Sequence, residues 1–246
     1  MNTRSDASDA GLPERLRQVR LRIAQAARAA GRDPAAVRLL AVSKTFAAQA
    51  VEELAACGQD EFGENYVQEA LPKISALRGR WPALCWHFIG PLQGNKTRDV
   101  ACHFDWVHSI DRIDLARRLS AQRPAERDGH ALPPLQVCLQ VNISGESSKR
   151  GVAPEQLPEL ARQVAGLPAL RLRGLMCLPA PAQGLEAQRE PFARLRALQQ
   201  QLVELGLPLD TLSMGMSADL EAAVLEGATM VRVGSALFGQ RAPRPA

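Results

Sequence analysis

The stretch LLAVSKTF (residues 39–46) runs from apolar residues into a single lysine, Lys44. A short apolar run without polar alternation predicts a strand that is covered on both faces, as in a parallel sheet. Lysine is rarely placed where it would lose its hydration. Lys44 is therefore either a strand cap that points into water or an amine that works in a site.

The same plan recurs along the chain, where short apolar segments alternate with segments of helical periodicity. Strands are predicted at residues 37–43, 61–64, 84–89, 104–109, 135–142, 170–177, 209–214 and 229–233. Helices are predicted at residues 12–31, 48–58, 65–77, 112–123, 153–167, 189–206 and 217–227, and a loop at 123–134. Eight strands alternating with helices predict a single (β/α)₈ TIM barrel, with a doubly wound open sheet as the alternative. Residues 12–246 would form this one domain, after a flexible N-terminus at residues 1–11.

The composition argues against several classes of function. The 246 residues are 46% hydrophobic and 23% charged, as in ordinary globular proteins, and carry a formal net charge of +4. Four arginines of the first helix (Arg15, Arg17, Arg20 and Arg22) are more typical of a solvated helix face than of a nucleic-acid interface. Basic residues nowhere alternate with aromatic ones as in a single-strand binder, so no nucleic-acid partner is expected.

The cysteines and the apolar stretches indicate where the protein works. The five cysteines are far apart and include no C-x-x-C pair, which favours reduced thiols over a disulfide or zinc framework. The N-terminus has no apolar signal region, and no apolar stretch approaches the roughly 18 residues of a membrane span. We therefore expect a cytoplasmic protein without a metal site and without membrane contact.

Side chains that can carry chemistry occur on nearly every predicted strand, mostly at its carboxyl end. In a barrel these ends meet at one face, where the active sites of such folds lie. The residues concerned are Ser43, Lys44, Glu64, Asn65, His87, His108, Ser109, Asn142, Met176, Cys177, Ser213, Met214, Gly215, Arg232, Gly234 and Ser235. Each also has a plain interpretation: Asn65 as a helix cap, His87 as a core histidine, Ser213 as a turn residue. Their convergence favours a ligand site at this face.

The segment VRVGSALFG (residues 231–239) indicates what the ligand is. Gly234 and Ser235 directly follow the last predicted strand, where barrels often bind phosphate through backbone N–H groups at a helix N-terminus. A phosphate there and a strand-end lysine across the barrel suggest pyridoxal phosphate, whose aldehyde would form a Schiff base with Lys44. Arg232 would then face the pyridine nitrogen and keep it unprotonated; a surface or ion-paired arginine is the alternative.

Eight longer motifs extend over most of the chain: AVSKT (41–45), FGENYVQEA (62–70), WHFIGPLQGNK (86–96), QVNIS (140–144), SSKRGV (147–152), LRGLM (172–176), LSMGMSADLEAAV (212–224) and VRVGSALFG (231–239). Together they resemble the pyridoxal phosphate homeostasis proteins. The resemblance implies a single barrel similar to the N-terminal domain of alanine racemase, a fold-type III architecture, without that enzyme's second β domain. It also implies pyridoxal 5′-phosphate on Lys44 and a cofactor site formed by Asn65, His87, Ser213, Met214, Arg232, Gly234 and Ser235.

Two functions follow from this resemblance. The family is thought to buffer pyridoxal phosphate and deliver it to apo-enzymes rather than to turn over a substrate. The alternative is a pyridoxal phosphate-dependent amino-acid racemase or related enzyme, which needs a second base; in alanine racemase this is a tyrosine from the second domain. Here the one tyrosine is Tyr66 and no second domain is expected, so His87 and Cys177 remain as conceivable bases. We therefore favour a non-enzymatic carrier, and a monomer, because the missing domain contributes to the racemase dimer.

The loop SGESSKRG (residues 144–151) follows the fifth predicted strand and is polar and flanked by glycines. One interpretation is a mobile gate in which Lys149 is a second amine that accepts or releases the aldehyde. A plain solvated loop is the alternative.

Overall fold

The structure, a computed structural model, describes residues 11–146 and 149–239. Its strands are β1 (Arg38–Val42), β2 (Glu61–Glu64), β3 (Cys85–Phe88), β4 (Trp106–Ile110), β5 (Glu126–Arg127), β6 (His130–Ala131), β7 (Leu135–Val141), β8 (Leu170–Cys177), β9 (Thr211–Ser213) and β10 (Met230–Val233). Eight of them close into a parallel barrel in the spatial order β1-β10-β9-β8-β7-β4-β3-β2. The predicted (β/α)₈ barrel is confirmed, and the open sheet is wrong.

The helices are α1 (Leu12–Ala29), α2 (Ala48–Ala56), α3 (Val67–Arg78), α4 (Thr97–His103), α5 (Ile113–Gln122), α6 (Leu157–Ala165), α7 (Leu185–Glu204), α8 (Leu220–Leu225) and α9 (Ser235–Phe238). Short 3₁₀ helices span Pro34–Ala36, Gly94–Lys96 and Pro154–Gln156. All seven predicted helices are present. The prediction missed α4 and α9, because seven and four residues are too few to show a helical period. Within the described ranges, no helix combines the length and the apolar character that a bilayer crossing requires.

The segment 123–134, predicted to be a loop, contains the hairpin of β5 and β6. Asp128 and Gly129 connect its strands with φ angles of 53° and 75°. Two successive residues in the left-handed region are the signature of a tight hairpin turn, for which Asp-Gly is a favoured sequence. The signal was therefore in the sequence, but strands of two residues are too short for periodicity to reveal.

The core has two layers because the strands are covered on both faces. Outside the barrel, aliphatic residues of the strands pack against the buried faces of the helices. Inside, Trp106 forms a small cluster with Cys138 and Met176. The guanidinium groups of Arg38 and Arg173 lie 4.9 and 5.2 Å from the Trp106 ring centroid, and cation–π attraction stabilises such pairs. The barrel interior is thus a packed layer that closes its amino-terminal half.

Helix α1 packs on the barrel through Leu16, Val19 and Ile23, which are all buried. Two of its arginines hold it there. Arg20 donates to backbone carbonyls of the turn after α2, and Arg22 forms an ion pair with Glu221 of α8 at 2.7 Å. These arginines therefore serve intramolecular contacts rather than a purely solvated face.

The domain boundaries stay predictions. Of the predicted flexible N-terminus, residues 1–11, only Gly11 lies within the described residues. At the other end the predicted domain continues to residue 246, whereas the description ends at Gly239. The barrel and its helices occupy the part between these ends.

Phe192 of α7 is fully buried between this helix and the barrel, so truncation should cost packing energy. Phe192→Ala is expected to lower the free energy of unfolding by about 3–5 kcal/mol. Leu205→Ala at the end of the same helix is the control: Leu205 is 64% exposed, and the change should stay below about 0.5 kcal/mol. Urea unfolding measures both, and equal losses would contradict the placement of α7.

Candidate functional site

A cavity of about 1030 Å³ opens at the carboxyl ends of the barrel strands. Five of the eight predicted site residues line it: Lys44, Asn65, Arg232, Gly234 and Ser235. The other three are fully buried and do not line it: His87, Ser213 and Met214. The barrel therefore brings these residues from the ends of three strands, β1, β2 and β10, to one opening, as strand ends of a closed parallel sheet must.

The charged side chains that line this cavity are all basic: Lys44, Lys149, Arg150 and Arg232. Lys149 forms an ion pair with Glu146 at 2.9 Å, but no carboxylate of the described residues lines the cavity itself. A concave surface with charges of one sign concentrates ligands of the opposite sign. The cavity is thus suited to an anionic ligand such as a phosphate ester.

The backbone before Lys44 is fixed by a buried ion pair. The Ser43 hydroxyl donates to Glu64 Oε1 at 2.6 Å, and the Ser43 carbonyl accepts a hydrogen bond from Lys73 Nζ at 2.8 Å. Lys73 Nζ also donates to the same Glu64 oxygen, and both side chains are almost completely buried. Lys44 lies in the turn directly after β1, and these contacts anchor the residue that precedes it.

The residue after Lys44 is held in an unusual conformation. Thr45 has a φ angle of 70°, which is rare for a β-branched residue. Its N–H donates to Glu69 Oε2 at 3.0 Å, and this bond stabilises the turn. Strained backbone of this kind clusters at functional sites, where the surrounding structure enforces a direction on a side chain.

Burial raises the pKa of the Glu64 carboxyl, and the adjacent Lys73 ammonium opposes this shift. Glu64 Oε2 is buried and has no hydrogen-bond partner among the described residues. A buried pair of this kind is held together because either charge alone would be costly to desolvate. The pair thus makes the position of Lys44 dependent on two residues that never contact the cavity.

Arg232 lies at the floor of the cavity with its side chain buried. Its Nη1 donates to the Ser213 carbonyl at 2.5 Å and to Ser213 Oγ at 2.8 Å, and its Nη2 donates to the Cys177 carbonyl at 2.8 Å. Burial lowers the pKa of Arg232, yet arginine remains charged in proteins. Three of five guanidinium N–H groups are bound to described residues, so two remain for a ligand.

Two features of the cavity wall are not explained by the packing of the protein alone. Gly234 has an ordinary φ angle of −115°, and a Cβ there would meet Val42 only at 3.5 Å, a normal contact. Asn65 Oδ1 is buried without a partner among the described residues. A close ligand would explain both, because it needs a bare backbone to approach and a polar atom to bind.

Gly90 fixes the position of Asn65. A Cβ at Gly90 would lie 2.1 Å from the Asn65 carbonyl oxygen, so only glycine lets the two segments touch. Gly90 belongs to the motif WHFIGPLQGNK, but sequence reasoning assigned it no role. A close approach between two backbones depends on the folded pairing of β2 and β3 and leaves no local signal.

Known proteins resemble this chain over most of its length. The family model for the N-terminal domain of alanine racemase matches residues 15–242. The pyridoxal phosphate homeostasis protein of Pseudomonas aeruginosa is 60% identical over 230 residues, which cover 94% of this chain and 96% of the relative. That of Escherichia coli K12 is 53% identical over 228 residues, covering 92% and 95%. This chain belongs to the pyridoxal phosphate homeostasis protein family.

Two solved structures share the barrel of this chain at different levels of identity. PipY of Synechococcus elongatus, solved with PLP bound, is 38% identical with a TM-score of 0.78, covering 93% of this chain and 100% of that one. An alanine racemase of Clostridium difficile has a TM-score of 0.67 at 17% identity, covering 94% of this chain and 58% of the racemase. The second likeness shows the fold alone.

The residues that support the site from behind were not predicted from the sequence. Lys73 lies within a predicted helix, where a lysine is usually assigned to the solvated face. His108 and Glu64 were noted at strand ends, but without partners or roles. Their partners lie on other strands and are far away in the sequence, so local patterns do not reveal them. His108 and Ser213, for example, are 105 positions apart.

Removing Lys73 tests the ion pair that supports Lys44 in this homeostasis-family barrel. Lys73→Met leaves the buried Glu64 charge without its partner and is expected to lower the free energy of unfolding by about 3–5 kcal/mol. The double variant Lys73→Met/Glu64→Gln removes both charges and should recover a large part of the loss. Urea unfolding of wild type, both single variants and the double variant measures this, and simple additivity would contradict the pairing.

Proposed function

We propose that this chain binds pyridoxal 5′-phosphate in the cavity and holds it through Lys44 for delivery to other proteins. The observation that carries the proposal is a strand-end lysine in a cavity whose charged lining is entirely basic. An amine for the aldehyde and positive charge for the phosphate are the two groups that this cofactor requires. The names of the relatives and the PLP-bound structure of PipY support the same ligand.

The choice of Lys44 follows from the small number of lysines. The sequence has four, and only Lys44 and Lys149 line the cavity. Lys73 is buried against Glu64 and Ser43. The residue before Lys44 is held by the buried Glu64–Lys73 pair, whereas Lys149 forms an ion pair with Glu146 at 2.9 Å. Lys149 as a second amine therefore stays a prediction.

Pyridoxal phosphate supplies an aldehyde that condenses reversibly with a primary amine and releases water. Arg232 would hold the ring nitrogen through its remaining N–H groups and would keep that nitrogen unprotonated. Gly234 and Ser235 would hold the phosphate through backbone N–H groups and a hydroxyl, and Asn65 would contact the cofactor through its side-chain amide. His87, Ser213 and Met214 lie behind the cavity wall. Ser213 would act on the ligand through Arg232, from which its hydroxyl oxygen accepts a hydrogen bond.

A carrier role fits the geometry better than racemisation. A racemase needs a second base beside the cofactor, yet neither Tyr66, His87 nor Cys177 lines the cavity. Burial raises the pKa of the Cys177 thiol to about 12, so the thiol stays protonated and is a poor base. Tyr66 is 45% exposed outside the cavity. The name of the homeostasis relatives supports the same choice.

The setting of this function belongs to the same proposal. We infer a cytoplasmic monomer that hands the cofactor to apo-enzymes dependent on pyridoxal phosphate. The five cysteines are all free thiols, which agrees with a reducing compartment. The open cavity mouth, with Met216 and Leu178 partly exposed, leaves a path for release.

Lys44→Ala tests the anchor. The purified wild type, loaded with pyridoxal phosphate, is expected to show a visible absorbance band, and borohydride reduction should fix the label on the peptide that contains Lys44. The variant should lose both signals because it lacks the amine. Lys96→Ala removes a lysine outside the cavity and should keep both. Mass spectrometry locates the label, and a label on Lys149 alone would contradict the assignment.

Hydrogen–deuterium exchange at the α-carbon of L- and D-amino acids separates carrier from racemase. The loaded wild type is expected to catalyse no exchange above that of free pyridoxal phosphate, because no described tyrosine, histidine or cysteine lines the cavity. Proton NMR of the amino acids in D₂O measures it. Fast exchange that disappears in Lys44→Ala would overturn the carrier and favour the racemase.

A further inference from the structure

A series of hydrogen bonds leads from the cavity floor into the barrel interior. It begins at Arg232, whose Nη1 donates to Ser213 Oγ at 2.8 Å. Ser213 Oγ lies 2.8 Å from His108 Nδ1, and His108 Nε2 lies 3.0 Å from His87 Nδ1. These four residues, here called the interior series, come from β10, β9, β4 and β3. All four are buried, so water cannot replace any of these contacts.

The interior series ends near the amino ends of the strands. His87 Nε2 lies 3.3 Å from Cys85 Sγ and 3.8 Å from Glu61 Oε2. Burial raises the pKa of the Cys85 thiol, so its sulfur is available as a weak neutral acceptor. Glu61 is engaged with Arg38 at 3.0 Å. The far end of the interior series therefore offers His87 Nε2 a sulfur that can accept weakly.

Arg232 sets the direction of the interior series at its first bond. A guanidinium only donates, so Ser213 Oγ accepts from it. Among the described residues His108 Nδ1, at 2.8 Å, is the acceptor within reach of the Ser213 hydroxyl proton, so we assign that proton to this bond. His108 then carries its proton on Nε2 and donates to His87 Nδ1. His87 in turn carries its proton on Nε2, toward Cys85. Each imidazole uses one donor and one acceptor, which requires both rings to be neutral.

The surroundings of both imidazoles agree with this state. Both rings are fully buried, and burial lowers their pKa well below the usual range. The positive charge of Arg232 acts on His108 in the same direction, and that of Arg38 acts on both. Glu61 is the acidic group that faces the pair, at 3.8 Å from His87. Neutral rings thus follow from geometry and from charge independently.

We propose that His108, supported by His87, is a positioning residue that orients Arg232 toward the ring nitrogen of pyridoxal phosphate. His108 holds the Ser213 proton away from the guanidinium and so turns the oxygen lone pairs toward Arg232. Without this acceptor the buried proton would have to turn elsewhere, including toward the guanidinium, which repels it. The inference rests on the proposed function, since the ring nitrogen enters only with that ligand.

The test compares two ligands that differ in one atom. Apo-protein is titrated with pyridoxal phosphate and with its 1-deaza analogue, in which a C–H replaces the ring nitrogen. His108→Leu is expected to weaken binding of pyridoxal phosphate about tenfold, the effect of one impaired charged hydrogen bond. Binding of the analogue by the same variant should weaken by less than about twofold, because Arg232 can form no hydrogen bond with the C–H that replaces the ring nitrogen. His108→Asn places an amide oxygen near the former Nδ1 and should restore the wild-type preference for pyridoxal phosphate over the analogue.

Two further variants guard against a folding defect. Ser213→Ala breaks the interior series but keeps the bond from Arg232 to the Ser213 carbonyl, and it should show the same selective loss. Ser109→Ala removes a neighbouring buried hydroxyl with no partner among the described residues and should bind both ligands as wild type does. Equal weakening of both ligands by His108→Leu and Ser213→Ala, or no weakening, would overturn the proposal. Wild type that binds neither ligand would instead refute the proposed function.

A measurement without ligand completes the test. ¹⁵N chemical shifts of the imidazoles in the apo-protein should show His108 and His87 protonated on Nε2 only, between pH 5.5 and 8. The shifts should stay constant across this range because both rings are held neutral. A ring that titrates there, or one protonated on Nδ1, would contradict the direction of the interior series whatever the ligand results are.

Discussion

The buried charge of Arg232 is the constraint to which the rest of the site is fitted. A guanidinium inside a barrel must be satisfied by oxygen acceptors, because a buried charge without partners is too costly. Among the described residues these acceptors are Ser213 and the Cys177 carbonyl rather than a carboxylate. Asp219 attracts this charge, but no described carboxylate hydrogen-bonds to Arg232, so positive charge remains available to whatever occupies the cavity.

Below Lys44, by contrast, buried charge is compensated by a partner of opposite sign. There Glu64 and Lys73 form a compensated pair, and the compensation fixes the backbone of Ser43. The charge of Arg232 faces the cavity, whereas the charges of Glu64 and Lys73 compensate each other and support the backbone before Lys44. This division explains why a cavity with a wholly basic charged lining can sit on a stable barrel.

The barrel is the fold that this chain shares with alanine racemase. The racemase match covers 58% of that enzyme and shows the fold alone. What separates carrier from catalyst is a base beside the cofactor, and in this cavity no described tyrosine, histidine or cysteine provides one. Binding pyridoxal phosphate requires an amine and an anion site, whereas racemisation also requires a second base.

The sequence by itself determined the alternation of strands and helices, the barrel, and the strand-end positions of Lys44, Arg232, Gly234 and Ser235, because these follow from periodicity and local motifs. The strands of the β5–β6 hairpin and helices α4 and α9 were not predicted, because they are too short to show a period. Only the tertiary structure decided which predicted residues line the cavity and which, like His87 and Ser213, stand behind it. The physical reason is that contacts across neighbouring strands join residues far apart in sequence, so the partners of Lys73 and His108 exist only once the barrel is closed.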